Sequence, residues 1–149
     1  TWSPALGEIR KTGKILTDAG QVSEWGAPTF EVWVARKDFA EKHPEIVAQF
    51  AKVSLDAIAD YNAHQAAWSA DSAQVQKIAK LTGASPADIP ELLQGTHFPS
   101  TAEQKSAQLL GGGTARDIAQ TALFLKDQGK IEGVLPDYSA FVSDKFLPQ

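Results

Sequence analysis

The sequence predicts a helix-rich α/β chain that supplies part of a larger fold. Three observations carry that expectation. Residues Thr29 to Ala35 are β-formers or small apart from one carboxylate, the strongest strand signal in the chain. From Pro44 onward, apolar residues recur at three and four, the period of a helix face. Only one further stretch, Lys14 to Thr17, has strand character, and two strands are too few to complete an α/β domain surrounded by so many helices.

Taken in order, Ser3 and Pro4 suit the cap and first position of a short helix that reaches Thr12 and stops at Gly13. Lys14 to Thr17 is expected as a strand, and Asp18-Ala19-Gly20-Gln21 as a turn. In the main strand, alternation places Phe30, Val32 and Val34 on one face and Thr29, Glu31, Trp33 and Ala35 on the other. Both faces are largely apolar, so the strand is expected to be covered on both sides. That leaves Glu31 in need of a partner, because an unpaired buried charge is expensive.

Asp38-Phe39-Ala40-Glu41 has the spacing of a helix start, and Pro44 opens a second helix running to Asn62. Its expected inward stripe is Ile46, Phe50, Val53, Ala57 and Tyr61, widened by Val47 and Ile58. Further helices are expected over Ala66 to Leu81, after Ser85-Pro86, over Ala102 to Leu110 behind a Ser100–Glu103 capping box, and from a Thr114 cap to Gln128. Gly111-Gly112-Gly113 and Gly129 punctuate the last two, and Tyr138 to Phe146 is expected as a final short helix.

Composition narrows the function. With 149 residues, 43% hydrophobic and 21% charged, the chain has the make-up of one ordinary globular domain. A net charge of -4 leaves no basic stripe to neutralise phosphates, which argues against a nucleic-acid partner. No cysteine is present for disulfide or thiol chemistry. His43, His64 and His97 lack metal-ligand spacing and are expected at the surface, so no metal or cofactor is expected. Asp56 and Asp60, with Lys52 beside them, fit a solvated helix face better than a catalytic carboxylate pair. The triple glycine before Thr114 lacks the lysine of a phosphate-binding loop.

One resemblance covers nearly the whole chain, more weakly between Asn62 and Gly113. The runs Gly13 to Asp18, Gln21-Val22 and Trp25 through Glu45, with Asp117 to Ala122, Phe124 to Lys130 and Asp137-Tyr138-Ser139, resemble the taurine-binding proteins of bacterial ABC importers, within the sulfonate- and nitrate-type solute-binding family. The resemblance implies a two-lobed, periplasmic-binding-protein-like fold of type II. Residues 1–149 would be its C-terminal half, a single domain comprising the lobe crossover, the returning strand and the C-terminal helices. The opening at Thr1 and the lack of any methionine fit that expectation of a fragment.

The resemblance also implies a function: capture of a small zwitterion in the periplasm by lobe closure, delivery to a membrane permease, and no catalysis. Glu31 would meet the ligand's ammonium, Trp2 would cover its ethylene group, and Thr29 would donate to one end. Trp25 is a weaker candidate at the cleft rim, and Trp33 is expected in the core. The family commonly has Asp at the place of Glu31; the extra methylene moves the carboxylate by ~1.5 Å. An alternative is a fragment of a thiamine-pyrimidine-synthesis enzyme sharing this fold, although its working histidine and cysteines have no counterpart here. A third is a helical interaction module with a broad exposed apolar patch. A fragment with such a patch is also expected to dimerise or swap.

Overall fold

The computed structural model describes residues 5–148, the side chain of residue 8 excepted. Eight α-helices are assigned among them: α1 (Ala5–Arg10), α2 (Ala19–Glu24), α3 (Lys37–Lys42), α4 (Pro44–Ala63), α5 (Ala73–Thr82), α6 (Ile89–Gln94), α7 (Thr101–Gln104) and α8 (Gly113–Asp127). Single 3-10 turns lie at Gln65–Ala67 and Ser139–Phe141. No strand occurs among the described residues, which corrects both strand expectations. No backbone hydrogen bond among the described residues involves residues 28–35. The reason is physical: a strand is stabilised by the ladder it forms with a neighbour, and a lone β-former run has nothing to pair with.

Local chemistry explains the helices. Ser72 accepts the Val75 amide at 3.3 Å and starts α5, later than the expected Ala66. Gly83, at φ +73, ends it in the left-handed conformation that other residues avoid. Ser100 and Glu103 form the complete capping box, with the Glu103 carboxylate accepting from the Ser100 amide at 2.8 Å. The helix it opens lasts only to Gln104, after which the chain turns back on itself: the Leu110 amide donates to Gln104 O and the Gly111 amide to Ser106 O. The expected turn at residues 18–21 is instead the start of α2, closed by Gly26 at φ +88. Arg36, rather than Asp38, holds the cap position of α3. The expected helix over Tyr138 to Phe146 reduces to its 3-10 turn.

Two compact units divide the described residues. In the first (residues 5–18 and 57–98), α5 packs on α6, and Val75 and Ile89 are wholly or almost wholly buried. Tyr61 meets Trp68 and Phe98 edge-on, each at 5.3 Å between ring centroids, and the Asn62 amide fixes Phe98 by donating to its carbonyl at 2.9 Å. Arg10 pairs with Glu91.

In the second unit (residues 19–56 and 99–148), the start of α8 is the tightest point. Gly113, Thr114 and Ala115 are buried, and a Cβ added to Gly113 would lie 1.6 Å from the Gln108 carbonyl oxygen. The expected inward residues of α8 hold: Ala122 is buried, with Ile118 and Leu125 half-buried. In α4 the expected stripe holds at Tyr61, which is buried, and at Val47 and Ile58, which are half-buried, but fails at its other positions. Ile46, Phe50 and Val53 are exposed, Val53 by 68%, whereas Leu55 is buried and Val47, Ala48, Ala51 and Ser54 are half-buried. Two neighbouring stripes of this helix are apolar, and the packed one lies beside the expected one.

Candidate functional site

Of the three candidate ligand residues, Trp2 lies outside the described residues. Thr29 and Glu31 belong to the irregular run 28–35 and are both exposed, which corrects the expectation of a buried strand around Glu31. Glu31 makes no ion pair or hydrogen bond with another described side chain, so its carboxylate is a free acceptor. A bare carboxylate flanked by apolar residues is suited to a charge-assisted hydrogen bond from an ammonium group.

The run itself is anchored by an aromatic contact. Trp33, expected in the core, is 79% exposed and meets Phe50 of α4 edge-on at 4.9 Å. Beyond its end, the Arg36 guanidinium grips Asp38 with two bonds, Nε to Oδ1 at 3.0 Å and Nη2 to Oδ2 at 2.7 Å. Those bonds favour the charged carboxylate and hold the Asp38 pKa below its ordinary value. Arg36, the one other charged residue within five positions of Glu31 in the sequence, is thus already matched to Asp38. Trp25, also weighed for the rim, is 72% exposed.

A cavity of about 120 Å³ lies in the first unit, lined by Ala57, Ile58, Tyr61, Trp68, Leu93 and Phe98. Its walls are apolar, and neither Thr29 nor Glu31 lines it. A zwitterion would lose its hydration there without compensation, so it is no site for such a ligand. Among the described residues the buried Tyr61 hydroxyl finds no hydrogen-bond partner, a group that no sequence signal could single out.

The remaining polar candidates take their places on solvated surface. Lys52 donates to Asp56 at 2.6 Å, and Asp60 accepts from the Trp68 indole at 3.3 Å beside the His64 ring. His43 stands 3.8 Å from Glu45, and all three histidines are exposed. Among the described residues no group of three histidine, aspartate or glutamate side chains is gathered to hold a metal ion. No helix among them is long and apolar enough to cross a membrane.

Among the described residues, Glu31 is thus a carboxylate without a side-chain partner on an exposed, largely apolar run. The chain belongs to the family of substrate-binding domains of ABC-type glycine betaine transport systems, whose model matches residues 1–80, a span containing all three candidate ligand residues. It is 45% identical over 146 residues to the taurine-binding periplasmic protein of Escherichia coli strain K12. That match covers 98% of this chain and 45% of the relative, so the chain spans less than half the length of the curated relative.

Proposed function

We propose that this chain contributes the C-terminal half of a periplasmic solute receptor that captures taurine or a related small sulfonate for an ABC importer. The observation that carries this reading is the 45% identity to a taurine-binding periplasmic protein sustained over 98% of the chain. The unpaired Glu31 supports it. Taurine pairs an ammonium with a sulfonate across two methylenes, and Glu31 supplies the acceptor for the first. Trp2 covers the methylenes, and Thr29 donates to one end. The sulfonate is held mainly by hydroxyls and backbone N–H groups outside this chain. Closure of two lobes about the ligand shifts the population towards the form the permease recognises, and no bond is made or broken.

A chimaera tests this. The E. coli relative, with its matching segment replaced by this chain, should bind taurine in isothermal titration. Glu31→Gln should then weaken taurine by roughly 10- to 100-fold, the value of one charge-assisted hydrogen bond of about 1.5–3 kcal/mol. An alkyl sulfonate lacking the amine should bind both versions equally. Equal taurine binding by the two versions would make Glu31 structural. A correctly folded chimaera that ignores taurine would remove the ligand assignment.

A further inference from the structure

Trp33 ties the run that bears Glu31 to α4, the 20-residue helix. Its indole meets the Phe50 ring edge-on, with centroids 4.9 Å apart and planes at 88°. The chain between the two rings turns back on itself, so the contact closes a loop. Arg36 opens α3, its carbonyl accepting from the Ala40 amide at 2.9 Å and its guanidinium gripping Asp38. At the other end of α3, the His43 amide donates to the Phe39 carbonyl at 2.8 Å, and the two rings lie 5.1 Å apart. The His43 carbonyl then accepts from the Ile46 amide at 3.1 Å as α4 begins, and Phe50 brings that helix back to Trp33. Every group in the loop belongs to residues 33–50 of the second unit, so this chain supplies the whole anchor.

We propose that Phe50 is a positioning residue for the Glu31 carboxylate, acting through Trp33 and without touching the ligand; the inference rests on the role proposed above for Glu31. Glu31 lies two residues before Trp33, at most about 7 Å along the chain. Confining Trp33 therefore confines Glu31. Ordering a backbone residue costs conformational entropy, and a ligand that must order its own acceptor binds more weakly for it. An acceptor already held in place avoids that loss. The contact is directional as well as apolar, because the edge of one ring is drawn to the electron-rich face of the other. Leucine at position 50 would keep much of the bulk and lose the direction, whereas tyrosine would keep both.

The full-length chimaera carries the test, with taurine and the amine-free alkyl sulfonate titrated in parallel. Phe50→Leu should weaken taurine roughly 2- to 10-fold, the worth of one edge-on aromatic pair. It should leave the amine-free sulfonate unchanged, because that ligand makes no use of Glu31. Phe50→Tyr should restore taurine binding. In a Glu31→Gln background, Phe50→Leu should have no further effect, and adding it to Trp33→Leu should cost nothing beyond the single change. Circular dichroism and the retained binding of the amine-free sulfonate both report that each variant is folded. An equal loss for both ligands would make Phe50 structural and overturn the inference. So would unchanged taurine binding by Phe50→Leu, or a loss simply additive with that of Glu31→Gln. Those outcomes leave the ligand assignment standing. If Glu31→Gln alone leaves taurine binding intact, the role of Glu31 fails first and the positioning role falls with it.

Discussion

At the scale of the residue, the structure separates groups that are matched from groups that are not. Asp38 is matched: both carboxylate oxygens take a bond from Arg36, and its pKa lies below the ordinary value. A depressed folded pKa means that the interaction is fully present above the unfolded value of 3.8 and is lost as the pH falls through the folded value. Carboxyl-detected NMR should therefore find Asp38 titrating below 3.8, and Arg36→Ala should return it towards that value. Tyr61 is the unmatched case. Its ring packs between Trp68 and Phe98, while its buried hydroxyl has no partner among the described residues. Leaving a hydroxyl unsatisfied costs about 1–3 kcal/mol. Tyr61→Phe, which keeps the ring, should be neutral or stabilising in urea unfolding, whereas Tyr61→Ala should cost about 3–5 kcal/mol.

Elements were legible wherever a short-range rule decides. The Ser100–Glu103 box, the stop at Gly129 and the extent of α4 all follow from contacts within a few residues of sequence, and the structure contains each. Ser100→Ala should cost about 1 kcal/mol in thermal or urea unfolding, the usual value of a helix cap. The triple glycine was read as a helix stop, yet its third member begins α8 against the Gln108 backbone. A methyl group there has no room and the obstacle is main chain, so Gly113→Ala should lose at least about 2 kcal/mol in the same assay. The two expected strands were illegible for the opposite reason. Val, Phe and Trp set a capacity to pair, but pairing is settled by a neighbour distant in sequence. The choice between the stripes of α4 was hidden similarly, since both are apolar and packing alone selects the one containing Leu55.

Seen whole, the molecule has a small core for its length. Among the described residues six apolar side chains are buried, Leu55, Tyr61, Val75, Ile89, Ala115 and Ala122, two of them alanines. A chain of this size that formed its own complete domain would bury a far larger set. The family was legible because the resemblance extends along nearly the whole chain, 45% identity over 146 residues. Of the candidate site, the sequence marks Glu31, whose charge contradicts its neighbours, but not its exposure, which follows from the absence of a strand among the described residues. Hydrogen exchange should reflect this, with protection strongest around Val75, Ile89 and the start of α8 and weakest over residues 28–35.

The edge contact between Trp33 and Phe50 makes the exposed run an optical gauge. With 79% of its surface in water, the Trp33 indole should emit as a hydrated fluorophore. Whatever covers the run removes that water, and the emission should move to shorter wavelength as it does so. Trp25 shares the exposure but lies outside the run, so Trp25→Phe should leave the shift intact while Trp33→Phe should abolish it. The chain thus carries its own spectroscopic record of whether its most adhesive segment is engaged.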